Sequence, residues 1–362
     1  MDAPIEALDV AAYRIPTDAP ESDGTYAWDA TPLVVVEAAA GGRRGLGSTY
    51  ADVATARLAA DTLAGAVRGT DALDVPGAFA AMARAVRNLG RPGVAAMAVS
   101  AVDAALWDLK ARLLDVPLAR LLGRVRDAVA VYGSGGFTSY DDARLAAQLG
   151  GWVGAGIRRV KMKVGREPGR DVERVRVARD AIGPGADLFV DANGAYTRKQ
   201  ALSMADAFAG LGVSWFEEPV SSDDLAGLRL LRDRVPPGMA VAAGEYGYTP
   251  WYFRRMLEAG AVDVLQADAT RCGGVTGFLA VAALCDAFML PLSAHCAPSL
   301  HAHPGCAVAR LVHVEYFHDH ARIEQMLFDG APSPEAGALR PDLSRPGMGL
   351  VLKRRDAERY AA

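Results

Sequence analysis

Between residues 129 and 316, short β-rich runs alternate with longer Ala-rich amphipathic stretches, and this alternation is the strongest constraint on the fold. The β-rich runs are Val129–Gly133, Arg159–Val164, Leu188–Asp191, Val213–Glu217, Ala240–Gly244, Val262–Asp268, Met289–His295 and Leu311–Tyr316. Strands that alternate with helices form parallel sheets, because each parallel connection needs a crossover. Eight such runs over about two hundred residues predict a closed (β/α) barrel rather than an open sheet.

The region before the barrel has a different pattern, which predicts a separate α+β domain. Strands are expected at Ile5–Ile15, Leu33–Glu37 and Arg43–Tyr50, and helices at Asp52–Val67, Ala78–Leu89 and Val94–Leu114. A boundary near Leu122 separates this domain, residues 1–122, from a barrel over residues 123–330. The Pro- and Gly-rich segment 331–362 is expected to pack back on the first domain, and the polar stretch 16–32 is expected to be a long loop.

Composition and charge narrow the range of partners. The chain has 362 residues, 51% of them hydrophobic and 23% charged, which is typical of a folded globular protein. A net charge of −4 argues against a nucleic-acid surface and favours a small-molecule partner. The sequence shows neither a signal-peptide pattern nor an uninterrupted apolar span, so we expect a cytoplasmic protein without a membrane partner. The four cysteines form no CxxC pair and are expected to be reduced.

Seven of the β-rich runs carry a charged residue or a histidine at or next to their carboxyl end. These residues are Lys163, Asp191, Glu217, Glu245, Asp268, His295 and Glu315. Each one alone is typical of a turn, a helix cap or a buried histidine. Because the strands of a parallel barrel all end on the same face, where the active sites of this fold lie, the shared register predicts that the seven side chains converge.

Three carboxylates from consecutive strands of this set predict a divalent-metal site. Asp191, Glu217 and Glu245 would form a strongly negative cluster, which is electrostatically costly without a cation. A donor set of oxygens alone favours Mg²⁺ over Zn²⁺. We therefore expect these three residues to bind Mg²⁺.

The remaining residues of the set predict acid/base groups beside that metal. Lys161 and Lys163 are two positions apart, so their ammonium groups share one face of the strand, and we expect their repulsion, with the metal ion nearby, to lower the pKa of Lys163. Asp268 is expected to orient His295 as a second acid or base. Glu315 is expected to hydrogen-bond a substrate oxygen as a protonated acid.

Seven short motifs carry these residues: KMK at 161–163, VDANG at 190–194, WFEEP at 215–219, GE at 244–245, QADATRCGG at 266–274, SAH at 293–295 and HVEY at 313–316. In this combination the sequence resembles the enolase superfamily, and within it the mandelate racemase subgroup, over nearly the whole chain. The stretch 115–123 also resembles that family's junction between its capping domain and its barrel.

The resemblance implies a modified (β/α)₇β TIM barrel with an N-terminal α+β capping domain. It implies that the three carboxylates hold Mg²⁺, and that Lys163 lies on one face of the substrate and the His295–Asp268 pair on the other. The stretch 16–32 then corresponds to the family's specificity loop. By analogy with symmetric assemblies in the family, a homo-oligomer is expected.

The resemblance also implies the class of substrate and reaction. Glu315, Asn193 and Lys161 are expected to contact a small-molecule carboxylate, and Lys161 joins Lys163 in the catalytic set. The common chemistry of the superfamily is abstraction of the proton α to that carboxylate, with metal stabilisation of the developing charge.

The step after proton abstraction is left open by these residues. Loss of a β-hydroxyl gives a dehydratase, whereas reprotonation from the opposite face gives a racemase or epimerase of a 2-hydroxy acid. The polar stretch 16–32 suits hydroxyl groups better than an aryl substrate. We therefore predict dehydration of a polyhydroxylated sugar acid to a 2-keto-3-deoxy acid, with the racemase or epimerase as the alternative.

Two further classes of protein share some of these sequence features. A zinc hydrolase is suggested by His295, His301 and His303, but the HxH pair follows the seventh β-rich run instead of the first. A barrel kept as a non-catalytic binding module would be expected to lack a ligand or a base, and here every position is filled.

Overall fold

An antiparallel sheet of three strands opens residues 3–362, the part of the chain that the computed structural model describes. Its strands are β1 (Ala7–Ser22), β2 (Ala27–Ala40) and β3 (Arg43–Thr49), paired in that order. The helices that follow are α1 (Val53–Leu58), α2 (Ala64–Val67), α3 (Val75–Ala85), α4 (Val94–Leu113) and α5 (Leu118–Leu121), and a π-helical turn at Ala59–Leu63 joins α1 to α2. These elements form the predicted α+β unit.

Helix α4 lies directly against β3 because two glycines remove the side chains between them. A Cβ atom on Gly45 would lie 2.2 Å from the carbonyl oxygen of Ala105, and one on Gly47 would lie 2.1 Å from that of Ala101. The close approach buries most of the 20 residues of α4. Within residues 3–362, no helix is both long enough and apolar enough to cross a membrane.

The segment 16–32 is a β-hairpin, so the expectation of a long loop is wrong. Strands β1 and β2 run to within a four-residue turn of each other, and Glu21 pairs with Trp28 close to that turn. Residues 17–20 bulge opposite Asp29. Pro20 lies in this bulge, where no ladder N–H is needed, whereas Pro16 and Pro32 stand in register with Ala30 and Arg14, so none of the three ends the strand pair.

A closed barrel of eight parallel strands follows α5. The strands are β4 (Val129–Gly135), β5 (Arg159–Lys163), β6 (Asp187–Asp191), β7 (Val213–Glu217), β8 (Ala240–Ala243), β9 (Val264–Ala267), β10 (Leu292–Ala294) and β11 (Leu311–Phe317). The helices between them are α6 (Asp142–Gly154), α7 (Pro168–Ile182), α8 (Arg198–Ala209), α9 (Leu225–Arg232), α10 (Pro250–Glu258), α11 (Gly274–Ala287) and α12 (Pro298–Ala307). Strand β11 pairs with β4 and closes the barrel, which confirms the predicted (β/α)₇β fold class.

Side-chain caps start several of the barrel helices just beyond the strand ends. Asp141 accepts a hydrogen bond from the backbone N–H of Arg144 and begins α6. Thr197 and Gln200 form a reciprocal capping box at the start of α8. Such caps satisfy N–H groups that a helix leaves unpaired at its first turn, so they fix where each βα loop ends.

The interior of the barrel has an aromatic layer below a charged layer. Phe189 and Trp215 stack with ring centres 5.2 Å apart, and Tyr132 and His313 pack beside them. Side chains alternate along a strand, so the residue two positions after each of these four residues lies on the same face of its strand. For β6, β7 and β11 those residues are acidic, so the sequence pattern places carboxylates directly above an apolar floor.

The chain ends with a segment that contacts the first sheet. Its elements are α13 (His318–Leu327), β12 (Phe328–Asp329), β13 (Ala338–Leu339), β14 (Val351–Leu352) and α14 (Arg354–Ala357). The backbone N–H of Ala362 donates to the carbonyl oxygen of Ala12 at 3.0 Å. Arg354 pairs with Glu37 of β2, and Arg112 of α4 donates to the carbonyl oxygen of Leu350 at 2.6 Å.

The contact between α4 and β3 can be tested by substitution. Gly47→Ala should lower the free energy of unfolding by about 2–4 kcal/mol, because the added Cβ cannot fit against Ala101 without moving α4. The measurement is urea unfolding followed by circular dichroism. The control is Gly151→Ala in α6, where the added methyl group would meet no heavy atom of the described chain within 4 Å apart from its own helix backbone and chain neighbours, and stability should be kept or slightly raised. Equal stability of the two variants would contradict this account.

Candidate active site at the barrel mouth

Three carboxylates meet at the carboxyl-terminal end of the barrel strands. Asp191 ends β6, Glu217 ends β7, and Glu245 follows β8. All three are buried, and one oxygen of each lies within 4.8 Å of an oxygen of the other two. The indole N–H of Trp215 donates to Glu217 Oε2 at 3.0 Å and fixes that side chain from the aromatic layer below.

The electrostatics of this cluster fit a divalent cation. Burial and the nearby Asp191 carboxylate raise the pKa of Glu217 to about 8. Burial and the Glu245 carboxylate raise the pKa of the adjacent Glu218 as well. Repulsion between buried carboxylates is relieved when their oxygens share a cation, and a donor set of oxygens alone matches Mg²⁺.

Both lysines of β5 point into the same charged layer. Lys161 is fully buried, and its Nζ lies 2.5 Å from Glu217 Oε1, 2.8 Å from Glu315 Oε1 and 3.5 Å from Asp191 Oδ2. Lys163 Nζ donates to Asp191 Oδ2 at 2.5 Å. Of the two lysines, Lys163 lines the cavity described below.

The pKa of Lys163 is raised in the protein without a metal ion, whereas we expected Lys161 and a nearby metal ion to lower it. Burial and the Lys161 ammonium lower the pKa of Lys163, but the carboxylates of Asp191, Glu245 and Glu217 together outweigh them.

The predicted His295–Asp268 pair is present. His295 Nδ1 lies 2.8 Å from Asp268 Oδ2, which leaves Nε2 facing the cavity, 3.0 Å from Glu245 Oε2. Burial lowers the pKa of His295, but the surrounding acidic groups outweigh it and the pKa is raised. Burial raises the pKa of Asp268, but the hydrogen bond and charge of His295 together with Arg271 outweigh it, and the pKa is lowered.

The direction of the Glu315 pKa favours an ionised group over the expected protonated acid. Burial raises its pKa, but Lys161, His295 and Lys163 together outweigh burial, so the pKa is lowered. Glu315 Oε1 also accepts the hydroxyl hydrogen of Ser134 at 2.5 Å, and the backbone N–H of Cys296 donates to Oε2 at 3.2 Å. In its ionised form Glu315 accepts hydrogen bonds from a ligand.

A cavity of about 330 Å³ collects most of these groups beneath the N-terminal hairpin. From the barrel it is lined by Lys163, Asn193, Glu245, Tyr246, Arg271, His295, Cys296, Glu315, Phe317 and His320. From the N-terminal unit it is lined by Asp23, Tyr26, Trp28, Ala30, Thr31, Pro32 and Tyr50. Both parts of the chain are therefore needed to form the walls.

Several lining residues were missed by the sequence reasoning. Tyr50 stacks on His320 with ring centres 3.3 Å apart, and its hydroxyl donates to Glu324 Oε1 at 3.0 Å. Cys296 Sγ lies 3.3 Å from His295 Nε2. Of these residues, only Cys296 could have been found from the sequence, because it directly follows His295. Tyr50 and His320 are brought together by the packing of the two domains.

The histidines that suggested a zinc hydrolase are structural. His301 and His303 are both buried. The backbone N–H of Ala269 donates to His301 Nε2 at 3.0 Å, and that of Ala119 donates to His303 Nδ1 at 3.2 Å. Neither residue joins His295 in a ligand cluster within residues 3–362, so the zinc interpretation is wrong.

Comparison with known proteins identifies the family. The family model described as "Mandelate racemase / muconate lactonizing enzyme, N-terminal domain" matches residues 9–123, and the model "Enolase C-terminal domain-like" matches residues 144–357. The chain therefore belongs to the mandelate racemase and muconate lactonizing enzyme family of the enolase superfamily, as the motifs predicted.

Three relatives illustrate the range of this family. A mandelate racemase/muconate lactonizing enzyme-like protein from Rubrobacter xylanophilus is 61% identical, with a TM-score of 0.97 over 99% of both chains. A 3,6-anhydro-alpha-L-galactonate cycloisomerase from Streptomyces coelicolor is 33% identical over 96% of this chain and 97% of its own. L-Talarate dehydratase from Polaromonas sp. JS666, solved with Mg and L-glucarate, is 29% identical, with a TM-score of 0.90 over 99% of this chain and 98% of its own. The magnesium in that structure agrees with the predicted cofactor.

The pairing of Tyr50 with Glu324 generates a prediction about pH. Burial raises the pKa of Glu324 to about 7, above the value of about 4.3 for an unfolded chain, so the folded state holds an extra proton between these values. Stability from this group is therefore lost as the pH rises from about 4 to 7, by roughly 2–4 kcal/mol. Glu324→Gln, which resembles the protonated acid, should reduce that loss in urea unfolding at several pH values. A parallel pH dependence in the variant and the original protein would contradict the assignment.

Proposed function

We propose that this protein is a Mg²⁺-dependent acid-sugar dehydratase, which removes the proton α to a carboxylate and the hydroxyl β to it. The observation that carries the proposal is the placement of Lys163 and His295 on one cavity, next to three clustered carboxylates. Strands β5 and β10 are three strands apart around the closed barrel, so the two side chains approach the cavity from well-separated positions. The activities of the cycloisomerase and dehydratase relatives support a sugar-acid substrate.

Asp191, Glu217 and Glu245 would hold the metal ion. Bound there, Mg²⁺ would neutralise the negative charge that develops on the substrate carboxylate as the α proton leaves. Lys161, which is buried between Glu217 and Glu315, keeps both carboxylates in place from below and does not line the cavity. We therefore assign Lys161 a positioning role.

Lys163 and His295 divide the proton transfers between them. In a dehydration, one of them accepts the proton from C2, and the electron pair of the C2–H bond forms the new double bond as the C3–O bond breaks. The other donates a proton to the departing hydroxyl, which leaves as water, and the resulting enol becomes a 2-keto-3-deoxy acid. His295 suits the donor role because Asp268 orients the ring and its Nε2 faces the cavity. Asn193 and Glu315 would accept hydrogen bonds from the substrate.

A second outcome of the same proton abstraction is favoured by the Streptomyces coelicolor relative, whose similarity extends over 96% of this chain. In a 3,6-anhydro acid the oxygen on C3 belongs to a ring ether. Cleavage of the C3–O bond then opens the ring and releases no water. Reprotonation of C2 without C3–O cleavage would instead give a racemase or epimerase, which the two separate proton-transfer groups also permit.

The proposal is tested by incubating purified protein and Mg²⁺ with a panel of aldonic, aldaric, uronic and anhydro-sugar acids in D₂O. A 2-keto-3-deoxy product with loss of water is expected. A keto acid of unchanged mass identifies the cycloisomerase, and deuterium at C2 without a keto acid identifies the racemase or epimerase. If neither product nor exchange is seen with any acid, the proposal is wrong.

Removal of either proton-transfer group should abolish turnover but not metal binding. Lys163→Ala and His295→Asn should each lower kcat by about 10³-fold or more, since general acid and base groups contribute about 10²–10⁴-fold. Lys199→Ala in α8 and His318→Asn, both outside the cavity, serve as matched controls. Titration calorimetry with Mg²⁺ should give similar affinities for all four variants, and retained turnover in either site variant would refute the assignment.

A further inference from the structure

Cys296 brings a thiol into the site cavity directly beside His295. Successive side chains of a strand point to opposite faces, but Cys296 lies just past the end of β10 and has a left-handed backbone, with a φ of 51°. Ala297 is left-handed as well, with a φ of 40°. Residues other than glycine rarely adopt this conformation, and where they do it is often at a functional site. The turn allows the side chains of His295 and Cys296 to line the same cavity.

Three different donor atoms lie together on this wall of the cavity: His295 Nε2, Cys296 Sγ and Glu315 Oε2. Sγ lies 3.3 Å from Nε2 and 3.5 Å from Oε2, and Nε2 lies 3.7 Å from Oε2. Bonds of about 2.0–2.3 Å to a tetrahedral Zn²⁺ separate neighbouring ligand atoms by roughly 3.3–3.6 Å. The three atoms therefore already have nearly the spacing that three ligands of one Zn²⁺ ion require.

Two of these side chains are held in place through their other polar atom. His295 Nδ1 lies 2.8 Å from Asp268 Oδ2, which is the arrangement in which a carboxylate orients a metal-binding imidazole. Glu315 Oε1 lies 2.8 Å from Lys161 Nζ and accepts the hydroxyl hydrogen of Ser134 at 2.5 Å. These contacts use Nδ1 and Oε1, so Nε2 and Oε2 are the atoms directed towards the thiol.

The donor set of this cluster differs in kind from the three carboxylates that would hold Mg²⁺. Nitrogen and sulfur donors favour Zn²⁺, whereas Mg²⁺ prefers oxygen ligands. A thiolate and a carboxylate supply two negative charges, which match the charge of the ion. All three residues line the cavity, so water or an incoming anion can supply a fourth ligand from there. The cluster therefore has the ligands of an open zinc site.

The cluster adjoins the carboxylate site but shares no ligand with it. His295 Nε2 lies 3.0 Å from Glu245 Oε2, so an ion at either site lies next to the other site. An ion on Nε2 occupies the atom that the proposed dehydration uses for proton transfer. His301 and His303 take no part, because their ring nitrogens accept backbone N–H groups, so this site is not that of a zinc hydrolase.

We propose that His295, Cys296 and Glu315 form an inhibitory Zn²⁺ site, separate from the Mg²⁺ site. On binding, Zn²⁺ replaces the thiol proton of Cys296 and any proton on His295 Nε2, and these protons pass to solvent. The inhibition rests on the proposed function, because it acts through the proton-transfer role of His295. The binding of Zn²⁺ does not rest on it.

Binding is tested with Co²⁺ in the presence of saturating Mg²⁺, which keeps the carboxylate cluster filled. Co²⁺ adopts the coordination of Zn²⁺ and gives a thiolate-to-metal charge-transfer band only when sulfur is a ligand. The band is expected in the original protein and in the control Cys285→Ala, at a buried cysteine of α11 that does not line the cavity. It should be absent in Cys296→Ala. Absence from the original protein, or persistence in Cys296→Ala, overturns the site.

Calorimetry with Zn²⁺ under the same conditions measures the contribution of each ligand. Loss of a residue that only orients a ligand costs about 10–100-fold in metal affinity, so loss of the ligand itself should cost about 100-fold or more. Cys296→Ala and His295→Asn should both show this loss, and Cys285→Ala should not. Circular dichroism and a Mg²⁺ titration verify that each variant is folded. Unchanged Zn²⁺ affinity in both site variants overturns the proposal.

Inhibition is read from exchange of the substrate C2 proton, relative to the activity of each protein without Zn²⁺. The Zn²⁺ concentration that halves exchange should rise about 100-fold or more in Cys296→Ala and stay unchanged in Cys285→Ala. Equal inhibition of Cys296→Ala and the original protein places the inhibiting ion at the carboxylates and overturns the inhibitory role. If no acid exchanges its C2 proton, the proposed function fails, and the Co²⁺ band and calorimetry still decide the metal site.

Discussion

The barrel mouth depends on the pairing of charges that are buried above an aromatic floor. Phe189, Trp215, Tyr132 and His313 fill the barrel below the site, and burial keeps the pKa of His313 low, at about 3, so that this layer is uncharged. Charges buried next to this apolar layer interact strongly, and a buried charge without an oppositely charged partner destabilises the fold. Lys161, with no exposed surface, is held by contacts with Glu217 and Glu315. Loss of either carboxylate would remove one of the close charge contacts of this buried ammonium.

The same pairing leaves an excess of negative charge at one place. Lys161 and Lys163 compensate part of the acidic layer, and Arg271 lies within 4 Å of both Glu245 and Asp268. The carboxyl groups still outnumber these cations. The raised pKa of Glu217, which is caused by burial and by Asp191, reflects this excess of negative charge. A divalent cation among the three clustered carboxylates resolves it, so the metal requirement follows from the same constraint that fixes the lysines.

The N-terminal unit turns this charged layer into an enclosed site. The glycines of β3 let α4 pack closely, and the hairpin of β1 and β2 then lies over the carboxyl-terminal end of the barrel. Trp28 packs edge-on against Phe137, which lies in the loop after β4, so the roof is anchored to the barrel by an aromatic contact. Residues of the hairpin therefore form one wall of the cavity that contains Lys163 and His295.

Local pattern was enough to predict the barrel and the convergence of its polar residues. β-rich runs that alternate with amphipathic stretches predict a barrel. Because strand periodicity and barrel closure leave one arrangement for residues at the ends of these runs, the sequence also predicts that Asp191, Glu217 and His295 converge. The protonation of Lys163 and Glu315 could not be predicted, since each pKa depends on which buried partner is nearest in space. The hairpin at 16–32 was missed because proline signals a loop locally, whereas here Pro20 lies in a bulge and Pro16 and Pro32 stand within a long strand pair. The contact of Tyr50 with His320 depends on how the N-terminal unit packs on the barrel, a long-range contact that no local pattern encodes.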